Sequence, residues 1–109
     1  MNNQYKKGVL ELCVLSLLKK RDCYGYEIAE YLSGHIDIAD GTVYLILRKL
    51  KADGLLTTYL QEESGGPPRK YYKLTELGCE TYREGRTEYL RFARTIQKLL
   101  EEDEANDEA

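Results

Sequence analysis

Between Val9 and Leu18 eight of ten positions are apolar: Val9, Leu10, Leu12, Cys13, Val14, Leu15, Leu17 and Leu18. Wound as a helix, these side chains point almost all the way round, and such a helix has to be covered on more than one side. A chain of 109 residues makes one domain, and a domain of that size covers mainly one face of the helix. The surplus predicts a second copy of the chain against another face. The run is also too short to cross a membrane, which takes about 18 residues or more, and no small-residue cleavage site follows it. Cys13, Cys23 and Cys79 are odd in number and form no CxxC pair. They fit a reducing, cytoplasmic setting better than a disulfide framework or a structural zinc site.

A polar arm, Met1 to Lys7, precedes this helix, and the charged break Lys19-Lys20-Arg21-Asp22 follows it. Tyr24 to Leu32 then reads as a short amphipathic helix with Ile28, Tyr31 and Leu32 inward, stopped by Ser33-Gly34-His35 with the glycine in a left-handed conformation. A third helix follows with Asp40 as its N-cap and Gly54 past its end. Val43, Ile46, Leu47 and Leu50 make its buried stripe, leaving Gly41, Tyr44, Leu45, Arg48 and Lys51 on the outer face. The period then changes. Leu55 to Leu60 and Arg69 to Leu74 are β-prone, and Glu62 to Pro68 between them has the composition of a turn stiffened by two prolines. In the second strand Tyr71 and Tyr72 alternate, which puts one in the core and the other partly exposed.

Thr75 is a good N-cap for a last helix running to about Leu100. Tyr82, Tyr89, Phe92, Ile96 and Leu99 recur along it as a 3.5-residue seam, with Gly85 filling the remaining position. That seam predicts a homodimer through this helix and the first. Charge is divided unevenly. Six of the 19 carboxylates lie in the tail from Glu101 to Ala109, which reads as a solvated, frayed end, leaving 13 acids against 16 bases in residues 1–100.

Catalysis finds no support. The single histidine, His35, has no metal-ligand spacing to a carboxylate or cysteine, and there is no phosphate-binding glycine loop or nucleophile elbow. Neither an enzyme nor a cofactor is expected. The element order instead predicts a mostly α chain with a β-hairpin: a winged helix-turn-helix over residues 1–74 and a long C-terminal dimerisation helix with its acidic tail over 75–109. The third helix would enter the major groove of DNA. Thr42, Tyr44, Arg48 and Lys51 give it hydroxyls and charge, and Arg69 and Lys70 give the wing two bases. A basic helix face and a Pro-Pro-Arg-Lys turn are each common on ordinary surfaces; their conjunction with a dimer seam in this order favours duplex DNA. A protein-interaction or ligand-carrier module using the same dimer without DNA is the alternative.

The motifs Gly8-Val9-Leu10-Glu11-Leu12, Tyr24-Gly25-Tyr26-Glu27-Ile28, Gly41-Thr42-Val43-Tyr44, Leu47-Arg48-Lys49-Leu50 and Gly54-Leu55-Leu56 resemble the PadR family of bacterial regulators. So does Gly66-Pro67-Pro68-Arg69-Lys70-Tyr71-Tyr72 with Leu74-Thr75-Glu76-Leu77-Gly78. The resemblance implies a homodimeric winged-helix repressor of the short subtype with a single C-terminal helix, acting at an inverted-repeat promoter site and released by a small molecule. It implies that Tyr26, Thr42, Tyr44 and Arg48 approach DNA, with Arg69 and Lys70 at the basic end of the wing. Many members have proline after the recognition-helix tyrosine; here that place is Leu45, which brings the chain closer to the multidrug-responsive branch. In that branch an aromatic on the last helix stacks on planar or lipophilic ligands, and the matching position is Tyr89, with Phe92 a turn further on. Both residues fit the packing of the seam equally well.

Overall fold

The computed structural model describes residues 3–62 and 65–108, with side chains for 8–62 and 65–103. Four helices and three strands follow in the order α1 (Asn3–Lys20), β1 (Cys23–Tyr24), α2 (Gly25–Ser33), α3 (Asp40–Ala52), β2 (Leu56–Gln61), β3 (Arg69–Leu74) and α4 (Glu76–Glu108). Helix α1 begins inside the segment expected to be an arm; the side chains of Lys6 and Lys7 lie outside the described residues.

The second half of α1 is the axis of the core. Val14, Leu15, Leu17 and Leu18 are buried against Ile28 and Leu32 of α2, the Val43–Ile46–Leu47–Leu50 stripe of α3, and Leu56, Tyr72 and Leu74 of the sheet. Among the described residues no polar or charged side chain is buried, so hydrophobic burial alone organises this centre. Val9 and Leu12, N-terminal to those buried residues on α1, stay only half-covered.

The sheet has three antiparallel strands in the order β1-β3-β2, one more than the expected hairpin. Cys23 and Tyr24, expected before and within the second helix, form the extra strand, pairing with Tyr72 and Tyr71. Cys23 is fully buried, and that burial raises its thiol pKa. The β3 alternation is as expected: Tyr72 is in the core and Tyr71 half-exposed.

The expected stop of α2 and N-cap of α3 both differ in the structure. Gly34 is right-handed (φ −71°, ψ −17°); α2 closes by donation from the Gly34 N–H to Glu30 and from the His35 and Ile36 N–H groups to Leu32, a turn that needs no left-handed residue. His35 lies on Tyr31, its Nδ1 3.0 Å from that residue's carbonyl oxygen. Asp40 is the first residue of α3, and the cap is Ala39. The Asp40 carboxylate stays in the first turn, where the helix dipole favours it. Gly54, past the end of α3, does take a positive φ of 79°.

Thr75 caps α4: its hydroxyl accepts from the Gly78 N–H (3.0 Å) and donates to the Gly54 carbonyl (2.7 Å). Helix α4 extends through the acidic tail to Glu108, some 33 residues and about 50 Å, longer than expected. Its first turns touch the head. Cys79 and Tyr82 pack on the core, and Gly85 lies against Leu12. Beyond them Tyr89, Phe92, Ile96, Leu99 and Leu100 are all exposed. The arm stretches the molecule to 65 × 27 × 22 Å.

Candidate nucleic-acid interface

Helix α3 turns one face to the core because its apolar residues recur at helical spacing; the same spacing puts Thr42, Tyr44, Leu45, Arg48 and Lys51 outside, all exposed. Lys49 belongs to neither set. Its ammonium bridges Glu11 of α1 (3.3 Å) and Asp53 (2.9 Å), contacts that raise its pKa through hydrogen bonds to Asp53 and Glu11. This fastens the C-terminal end of α3 to α1.

Tyr44 leans back onto the start of α2. A Cβ built on Gly25 would sit 2.8 Å from the edge of its ring, so only a glycine lets the ring lie there. Gly25 is flanked by Tyr24 and Tyr26. Glu27 accepts from the Tyr24 N–H (3.2 Å) and pairs with Arg21 (3.4 Å), holding this first turn of α2 and leaving Tyr26 exposed. The guanidinium carbon of Arg69 lies 4.5 Å above the Tyr24 ring. Tyr26, Tyr44 and Arg69, from three different elements, therefore converge around one dipeptide, Tyr24-Gly25. Arg48 follows Tyr44 by one turn on the same face of α3, and Thr42 stands in its first turn.

Lys70 is not part of that cluster. Alternation along β3 puts it on the face opposite Arg69, where its ammonium lies 5.8 Å from the Tyr72 ring. The two bases of the wing thus straddle the ribbon.

The tyrosines of the sheet are the feature that sequence reasoning missed. Tyr24, Tyr71 and Tyr59 occupy one register row across β1, β3 and β2. Tyr59 stacks on Tyr71 (centroids 5.6 Å, 14°), Tyr71 meets Tyr24 edge-on (5.6 Å, 61°), and Tyr24 runs nearly parallel to Tyr26 (6.3 Å, 19°). Asp22 accepts the Tyr59 hydroxyl at 2.7 Å, which raises that phenol's pKa. Ten tyrosines without a tryptophan was the available signal. Aligning four of them required β1, and a two-residue strand has no period to read.

Tyr89 and Phe92 meet in an open groove of about 410 Å³ between α1 and α4, beside Val9, Leu12 and Leu15. Both also line a second hollow that continues along α4 with Ile96 and Leu100. Among the described residues no three His, Cys, Asp or Glu side chains are grouped to hold a metal ion, and no helix is long and apolar enough to cross a membrane.

Residues 14–84 match the model of the transcriptional regulator PadR-like family. An uncharacterized protein of Lysinibacillus sphaericus is 33% identical over 76 residues, which is 66% of this chain and 70% of that protein. The transcriptional regulator YqjI of Escherichia coli is 32% identical over 83 residues, 72% of this chain; the match spans only 38% of YqjI. Among solved structures, a PadR-like transcriptional regulator from Bacillus cereus superposes with a TM-score of 0.82 at 33% identity, covering 90% of this chain and 97% of that one. A PadR family regulator from Clostridium difficile gives 0.77 at 31% identity, covering 84% and 97%.

Proposed function

Since this chain belongs to the PadR-like family of transcriptional regulators, with the winged-helix fold of its structural relatives, we propose that it works as a homodimeric repressor of the short subtype, released from DNA by a small ligand. The observation that carries this reading is the convergence of Tyr26, Tyr44 and Arg69 around Tyr24-Gly25, with Arg48 a turn away. A recognition helix, the helix before it and a wing base share one exposed surface. Thr42, Tyr44 and Arg48 meet the major groove, Tyr26 a phosphate, and Arg69 and Lys70 the backbone on either side of the wing. Residues 1–74 are the DNA-binding head and 75–109 the dimerisation arm.

The exposed seam of α4 and the half-covered Val9 and Leu12 of α1 support pairing with a second copy. Two heads then address half-sites about one helical turn apart, roughly 34–36 Å, in an inverted-repeat promoter. The groove holding Tyr89 and Phe92 takes a planar or lipophilic compound, as in the multidrug-responsive branch, and such a ligand releases DNA if it favours a different spacing of the heads.

The test is binding to duplexes from upstream of the gene, measured across a salt series. Arg69→Ala weakens all sequences alike and lowers the salt slope by about one; Arg48→Ala costs about 1–3 kcal/mol on the preferred site and relaxes specificity there. Failure to bind any upstream duplex at low salt, or an unchanged slope for Arg69→Ala, overturns the assignment.

A further inference from the structure

Arg69 sits on the face of Tyr24, and Tyr24 is the end of a row of rings anchored elsewhere. Asp22 holds the Tyr59 hydroxyl, Tyr59 stacks on Tyr71, and Tyr71 abuts Tyr24. The sheet register enforces that row, because Tyr24↔Tyr71 and Tyr71↔Tyr59 are directly opposed residues on one face. Arg69 is two residues before Tyr71 on the same strand, which makes it a diagonal neighbour of Tyr24 across the ladder. The Arg69 guanidinium carbon, 4.5 Å over that ring, is within cation–π reach, which restricts where the cation sits. Beyond Tyr24, at the same end of the row, lies Tyr26, nearly parallel to it, and Gly25 between them seats Tyr44 of α3.

We propose that Tyr24 is a positioning residue for DNA binding: its ring presents the Arg69 guanidinium to a phosphate and keeps wing, α2 and recognition helix in one register, without itself touching DNA. This rests on the regulator reading above and adds a residue that the recognition surface depends on.

The experiment is a double-mutant cycle on the full chain, with a mixed-sequence duplex at low salt as probe, since a phosphate contact is independent of sequence. An exposed stack of this kind corresponds to about a two- to fivefold change in affinity. Tyr24→Leu is expected to weaken binding by that factor and to flatten the salt slope as Arg69→Ala does. Tyr24→Phe, which keeps the ring, restores both. The double variant Tyr24→Leu/Arg69→Ala binds no more weakly than Arg69→Ala alone. Losses that add in full overturn the inference. If Tyr24→Leu does not fold, Arg69→Lys decides: it keeps the charge and so the salt slope, but an ammonium is held less well over the ring, so an affinity between those of wild type and Arg69→Ala is expected, and wild-type affinity overturns the inference. Wild-type protein that binds no duplex refutes the regulator reading and this inference together; normal wild-type binding with additive losses refutes this inference alone.

Discussion

Two glycines of α4, Gly78 and Gly85, make opposite predictions when replaced by alanine. Intrinsic helix preference says that either change stabilises, by about 1 kcal/mol. At Gly78 the surroundings forbid it: the residue is buried, and an added Cβ would collide with the backbone carbonyl of Leu55. Relief requires the first turn of α4 to lift from the α3–β2 connection. Three hydrogen bonds sit at that junction: Thr75 N–H to Leu55 (3.0 Å), Thr75 hydroxyl to Gly54 (2.7 Å) and Gly78 N–H to the Thr75 hydroxyl (3.0 Å). Losing the cap costs about 1 kcal/mol and each of the other two about 0.5–1.5 kcal/mol. Offset by the helix preference, Gly78→Ala comes out about 1–3 kcal/mol less stable. At Gly85 the new methyl would meet only the flexible tip of Leu12, at 3.1 Å, so Gly85→Ala is neutral or slightly stabilising. Urea unfolding at one fixed protein concentration measures both, the fixed concentration removing any contribution from subunit association. A Gly78→Ala protein as stable as wild type, or a Gly85→Ala protein that is the weaker of the two, refutes the steric argument.

Leu47 of α3 is fully buried in the core, so Leu47→Ala should cost about 2–5 kcal/mol with an unchanged denaturant slope in urea melts. Ile96→Glu places a charge in the exposed seam of α4 and should yield monomers at micromolar concentration in sedimentation; a persisting dimer would move the seam elsewhere. The Tyr59 phenol, held above the ordinary tyrosine value by donation to Asp22, contributes a tie that is complete below about pH 10. The tie is lost as pH rises through the raised pKa. Stability measured by urea melts should fall in that alkaline window for wild type and less so for Tyr59→Phe; equal slopes would show that the hydroxyl tie contributes nothing.

Local periodicity made much of this molecule legible. The α3 stripe, β3, the Thr75 cap and the Tyr71/Tyr72 alternation follow from spacing of three to four or of two, and the structure keeps each of them. What escaped depended on partners distant in the chain. β1 exists only because β3 supplies its hydrogen bonds, and the Tyr24–Arg69 stack exists only because β1 does. Gly34 was misjudged because a glycine after a helix permits a left-handed turn without demanding one; the backbone donors of residues 34–36 found right-handed partners instead. Of the surface residues, Arg69 joins the cluster at Tyr24 and Lys70 faces away from it, a division set by strand alternation at the very end of β3, where the core no longer distinguishes the two sides.

Helix α4 is held by the head over its first turns, yet runs for about 50 Å as one unbroken rod. Such a rod is a lever whose fulcrum is the seat of Gly78 against Leu55. Tilting it there by about 5° swings the far end through roughly 4 Å, about three-quarters of a helical turn's rise. Small adjustments at the fulcrum and large displacements at the tip are then a single motion, and gain is set simply by how many residues lie beyond Gly78.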